Sequence, residues 1–162
     1  MGGGGGGDTR SIGDIMKLVA QAKKELSDSQ QAGRKNVFIS FDHEDLNTVN
    51  LLRGQAKSEA SPLEFNDWSV PEPYDSDRAS YIRQKISERI AQSSVTVVFL
   101  SDKTPSSRWV AWEIEESIRL GKRVIGVYPQ DSKPAVKPAA VDRNGIKCVP
   151  WPDLAKEISS GE

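Results

Sequence analysis

A chain of 162 residues has the length of one ordinary domain, and its 22 Lys and Arg against 23 Asp and Glu leave a formal charge of −1, so no global positive field exists to hold a nucleic-acid backbone. One Cys and one His are too few for a zinc site or a disulfide framework and suit a reducing cytoplasm. A mean hydropathy of −0.53, with no apolar run near the roughly 18 residues a bilayer span requires, predicts a soluble protein without a membrane partner.

Met1 and the six glycines after it lack the charged and apolar regions of a signal peptide, so residues 1–10 read as a flexible Gly-rich leader. Residues 11 to about 29 carry Ile12, Ile15, Met16, Val19, Ala22 and Leu26 at three-and-four spacing, the pattern of an amphipathic helix. With the linker around Gly33 they make an N-terminal element over 11–33, ahead of a domain over 34–160. Too few heptads are present to argue a coiled coil.

Short apolar runs then alternate with helical patterns, as in a parallel sheet with crossover helices. Asn36 to Phe41 is the first expected strand. Leu46, Val49, Leu52 and Ala56 stripe a helix from about Glu44 to Lys57, and Pro62 to Asp67 gives a second strand. Trp68 to Ser76 holds two prolines and is irregular. Tyr81, Ile82, Ile86 and Ile90 mark the next helix. Ser94 to Ser101 is the strongest strand, apolar on both faces at its centre and so expected in mid-sheet. Ser106 to Leu120 follows as helix, Arg123 to Tyr128 as strand, Ile146 to Val149 as a fifth strand, and a last helix begins at Pro152. This predicts an α/β, flavodoxin-like three-layer sandwich with a five-stranded parallel sheet in the order 2-1-3-4-5, plus the N-terminal helix.

In such a sheet ligands sit outside the carboxyl ends of the strands where the order reverses, which directs attention to Phe41–Asp45, Trp68–Asp75 and Ser101–Glu113. No Gly-rich phosphate loop follows any strand, so Rossmann and P-loop chemistries are unsupported. Asp42 suits a helix cap, with Asp45 facing the positive helix terminus. His43, the only histidine, is either a solvated loop residue or a hydrogen-bonding group at the switch point. The aromatics of the Trp68–Ser76 loop suit stacking on a ring, covering the core or docking a partner.

Helical geometry separates three glutamates. At about 100° per residue, Val110, Ile114, Ser117, Ile118 and Gly121 centre on the sheet direction; Glu113 lies roughly 80° from it, and Glu115 and Glu116 about 120° and 140° away. Glu113 is the boundary residue, leaning on the side shared by Trp109 and Leu120, where apolar surroundings strengthen a carboxylate's electrostatics. Glu115 and Glu116 read as solvated charges.

Taken in order, the segments VFISFDHED (Val37–Asp45), LEFNDWSV (Leu63–Val70), IRQKISERIAQSSVTVVFLSDKT (Ile82–Thr104) and SRWVAWEIEESI (Ser107–Ile118) resemble the Toll/interleukin-1 receptor (TIR) domain, and more closely its bacterial TIR-like branch, the sensor of Thoeris anti-phage defence. The last follows the family pattern Ser-x-Trp-Cys-x-x-Glu with Val110 in place of cysteine, and the resemblance spans roughly residues 36–128. It implies that Glu113 is catalytic in breaking the nicotinamide–ribose bond of NAD. Phe41, Asp42, His43, Trp68, Ser69, Ser101 and Trp109 are the expected substrate-binding residues. NAD is then the substrate, with no cofactor and no metal, because nicotinamide is already a cationic leaving group and a carboxylate can stabilise the oxocarbenium ion left behind.

A cyclic ADP-ribose-type signal read by a separate effector is the leading expectation, since no effector domain is fused to this chain. NAD hydrolysis is the other outcome of the same cleavage. The alternative is a TIR adaptor acting by self-association, which catalytic members of the family also use. A phosphoreceiver would need a lysine ending the last strand, and neither Tyr128-Pro129 nor Val149-Pro150 supplies one.

Overall fold

The computed structural model describes residues 12–21, 35–58, 63–66 and 74–160, and the chain divides into two units, Met1–Arg34 and Lys35–Glu162. In the first, helix α1 covers 12–21 with every residue exposed, Ile12 by 78%. The Gly-rich leader and the remainder of the expected N-terminal helix lie outside the described residues.

The second unit is built on β1 (Lys35–Ser40), β2 (Leu63–Asn66), β3 (Val95–Phe99), β4 (Arg123–Tyr128) and β5 (Cys148–Pro150). They form a five-stranded sheet in the order β2-β1-β3-β4-β5, and every neighbouring pair is parallel. The helices are α2 (Leu46–Ser58), α3 (Ala79–Gln92), α4 (Arg108–Arg119), α5 (Ala139–Arg143) and α6 (Leu154–Ser160). Single 3-10 turns at His43–Asp45, Thr104–Ser106 and Trp151–Asp153 precede α2, α4 and α6.

Side-chain alternation divides the core into two layers. Val37 and Ile39 of β1, Val95, Val97 and Phe99 of β3, and Phe41 just beyond β1 pack with Val49 of α2 and with Leu154 and Ile158 of α6. The opposite phase meets the other helices: Phe38 packs with Ile82, Ile86 and Ile90 of α3, and Val98 and Leu100 with Val110 and Ile114 of α4 and Ala140 and Val141 of α5. β3 is buried at all of its positions because β1 and β4 flank it and helices cover both faces.

The end of α4 is fixed by Gly121 at φ +73°. Its N–H reaches the Ile118 carbonyl, and the Lys122 N–H reaches that of Ser117, both at 2.9 Å, which is a Schellman reversal that turns the chain back into β4.

Several sequence expectations are corrected. Tyr81 is 53% exposed, outside the stripe that Ile82, Ile86 and Ile90 form at four-residue spacing. Ile118 is 38% exposed rather than turned to the sheet. α5 had no counterpart in the pattern, because a helix of five residues is too short to show a period. Glu116, read as solvated, is only 9% exposed; Ser87 of α3 donates to it, and Arg119 donates to both of its carboxylate oxygens.

Candidate active site

Ser40 ends β1 two residues after Phe38, so its side chain points to the α3/α4 layer, and it is fully buried. α4 opens where the Ser107 hydroxyl caps the Val110 N–H. Two turns of α4 then bring Glu113, 4% exposed, over the end of β1, where the Ser40 hydroxyl donates to Glu113 Oε1 at 2.6 Å. One turn further, the Ser117 hydroxyl donates to the Glu113 carbonyl at 2.7 Å and meets Thr96 Oγ1 of β3 at 2.8 Å. Glu113 is thus buried and hydrogen-bonded at the carboxyl end of β1, close to where the sheet order reverses between β1 and β3.

Around it, Trp109 sits one turn before Glu113 on α4 and packs with Trp112 against the Phe38 cluster. Tyr74 meets Trp109 edge-on at a centroid separation of 5.1 Å. The guanidiniums of Arg108 and Arg83 lie 4.5 and 5.0 Å from the Tyr74 ring centre, and Arg108 is ion-paired with Asp75. An aromatic wall with two cations therefore stands on the flank of α4 that carries Glu113's neighbour Trp109.

The expected substrate-binding residues fall in different places. Trp109 shares the Glu113 side. Asp42 accepts from the Glu44 N–H at 2.9 Å as a cap, and His43 is exposed. Phe41, 8% exposed, packs in the α2/α6 layer on the opposite side of the sheet from Glu113. Ser101 also turns away from Glu113, donating to Asp45 Oδ2 at 2.5 Å. Trp68 and Ser69 lie outside the described residues. Motif and helical angle do not point to Ser40; its signal in the sequence is a serine in phase with Phe38 at the end of an otherwise apolar run.

Asp45 and Ser101 line a cavity of about 370 Å³ over the ends of β3 and β4, together with Thr48, Asp102 and Lys133. Burial pushes the Asp45 carboxyl above its usual range, against the opposing pull of the Ser101 hydrogen bond. Glu115 and Glu116 shift the other way: hydrogen bonds from Arg143 and Arg119 respectively hold their carboxyls below the usual range. Among the described residues there is no cluster of three or more His, Cys, Asp or Glu able to hold a metal ion, and no helix is long and apolar enough to cross a membrane.

A parallel α/β sheet with a buried, hydroxyl-bound Glu113 at its switch side defines a doubly wound domain. Residues 38–134 match the family described as Thoeris protein ThsB, TIR-like domain, and the chain belongs to that family. It is similar to a Bacillus cereus (strain MSX-D12) protein named "Putative cyclic ADP-D-ribose synthase ThsB1", at 31% identity over 98 residues, 58% of this chain and 51% of that protein. The chain therefore aligns with about half the length of this curated relative. Among solved structures, a 2-deoxyribosyltransferase from Bacillus psychrosaccharolyticus shares the fold at a TM-score of 0.52 and 17% identity, covering 74% of this chain and 90% of that one. The TIR domains of the activated Roq1 resistosome overlay at a TM-score of 0.44 and 19% identity, covering 78% and 72% of the two chains.

Proposed function

We propose that this TIR-like domain is an NAD-processing enzyme that cleaves the nicotinamide–ribose bond and closes the product into a cyclic ADP-ribose-type signal in Thoeris defence. The observation that carries the reading is the Glu113 carboxylate, 4% exposed and hydrogen-bonded to Ser40 at the end of β1. The name of the Bacillus cereus relative supports the product class.

The chemistry follows from the groups. Nicotinamide departs with the electron pair of its bond to the ribosyl carbon and becomes neutral, and positive charge develops on the ribose. A carboxylate in a dry setting beside that ribose stabilises the charge more strongly than one in water. Attack by a nitrogen of the adenine end of the same molecule closes the ring, whereas attack by water gives ADP-ribose, so exclusion of water favours cyclisation. Trp109 and Trp112 supply apolar surface on this side. NAD is the substrate, with no further cofactor, and a separate cytoplasmic effector reads the product; self-association of the domain belongs to the same proposal.

The test is incubation of the protein with NAD, with and without phage lysate, and analysis of nicotinamide and nucleotide products by chromatography and mass spectrometry. Wild type should release nicotinamide and a cyclic isomer, and Glu113→Gln, folded by circular dichroism, should lose at least about 100-fold in turnover. Unchanged turnover in Glu113→Gln removes this residue from the mechanism. Assembly without any NAD consumption would mark an adaptor instead.

A further inference from the structure

Glu113 is attached to the sheet at two points, through side chains on two different strands. Its carboxylate receives the Ser40 hydroxyl of β1 at 2.6 Å. Its backbone carbonyl receives the Ser117 hydroxyl at 2.7 Å, and Ser117 in turn meets Thr96 of β3 at 2.8 Å. Ser40, Thr96 and Ser117 are all fully buried. The strands themselves are fixed: β1 is paired on both sides, by β2 and β3, and Ser40 stands in register with Val98. Three buried hydroxyls have a desolvation cost that aliphatic side chains would avoid.

We infer that Ser40 is a positioning residue that holds the Glu113 carboxylate in one rotamer at the end of β1, while the Thr96–Ser117 pair fixes the turn of α4 from which it projects. This rests on the reading of Glu113 as the catalytic carboxylate. Ser40→Ala should keep the fold, whose hydrophobic layers do not depend on this hydroxyl, and should remove the hydrogen bond that aligns the carboxylate. The contact between Ser87 and Glu116 provides an internal comparison. It too joins a serine hydroxyl to a buried glutamate of α4, but it links α3 to α4 and leaves Glu113 untouched.

The experiment measures NAD turnover of Ser40→Ala, Ser40→Thr and Ser87→Ala, with thermal unfolding of each, alongside a crystal structure of Ser40→Ala. A displaced catalytic group costs on the order of 10- to 100-fold. Ser40→Ala should therefore lose kcat by about that factor with KM changed by less than about threefold, the signature of an interaction that serves the transition state. Ser40→Thr, which restores the hydroxyl, should recover most of the rate, and Ser87→Ala should keep it. Wild-type kcat in Ser40→Ala, or an equal loss in Ser87→Ala, overturns the inference. If wild type turns over no NAD, or Glu113→Gln is fully active, it is the enzymatic reading that fails. The crystal structure then decides the positioning by itself: a Glu113 carboxylate moved by about 1 Å or more supports it, and an unmoved one overturns it.

Discussion

Glu113 and Glu116 stand less than one turn apart on α4, both buried, in different hydrogen-bonding surroundings. Arg119 donates twice to Glu116, and Ser87 adds a third bond, so its carboxyl is held below the ordinary value of 4.5. A carboxyl with a depressed folded-state pKa contributes stability that is present above its unfolded value and is lost as pH falls through the folded one. Glu116→Gln should therefore melt below wild type at neutral pH, and the gap should narrow as pH drops below about 4.5; a gap constant across a pH series of melting curves would contradict this. The exposed Arg119 partner is screened by solvent, so added salt should shrink the difference. The helical angle alone puts Glu113 at the boundary of the sheet-facing side, and the structure buries it to 4% exposure. The same angle misplaces Glu116 because it is reckoned from the sheet alone, while the burial of Glu116 comes from a second neighbour, α3, whose Ser87 reaches across.

At the scale of elements, the alternation of apolar runs with helical stripes made a parallel α/β sheet legible from residues such as Val95 to Phe99, buried throughout. Short and irregular pieces left weaker traces. β5 runs from Cys148 to Pro150 rather than Ile146 to Val149, and only three residues define it. That edge holds a tight contact the sequence did not announce. A Cβ added to Gly126 of β4 would lie 2.6 Å from Cys148 Sγ and 3.1 Å from Leu100 Cδ1. Gly126→Ala should destabilise the domain by about 1–3 kcal/mol through overpacking. Removing the sulfur in Gly126→Ala/Cys148→Ala should recover most of that loss, as read by denaturant unfolding. Additive losses in the double variant would place the strain elsewhere.

At the scale of the molecule, Ser40 and Ser117, whose hydroxyls bond Glu113, lie in the unit that begins at Lys35. A chain starting at Lys35 should fold cooperatively with a melting temperature within a few degrees of the full chain, and should keep whatever NAD turnover the full chain has. A truncated protein that is folded but inactive would assign the first unit a part in activity. Family membership rests on residues 38–134, a span that takes in Ser40 and Glu113 but stops short of β5 and α6.

The hydrogen bond between Ser40 and Glu113 closes a separation of 73 residues. Contacts of such range form only after the loop entropy between them has been overcome, and β1 finds β3 only when the intervening α2–β2–α3 segment has collapsed. The place of the carboxylate therefore depends on sheet pairing as well as on helix formation. A partly folded or locally opened domain that loses the β1–β3 pairing would lose the Ser40–Glu113 contact even where its helices persist.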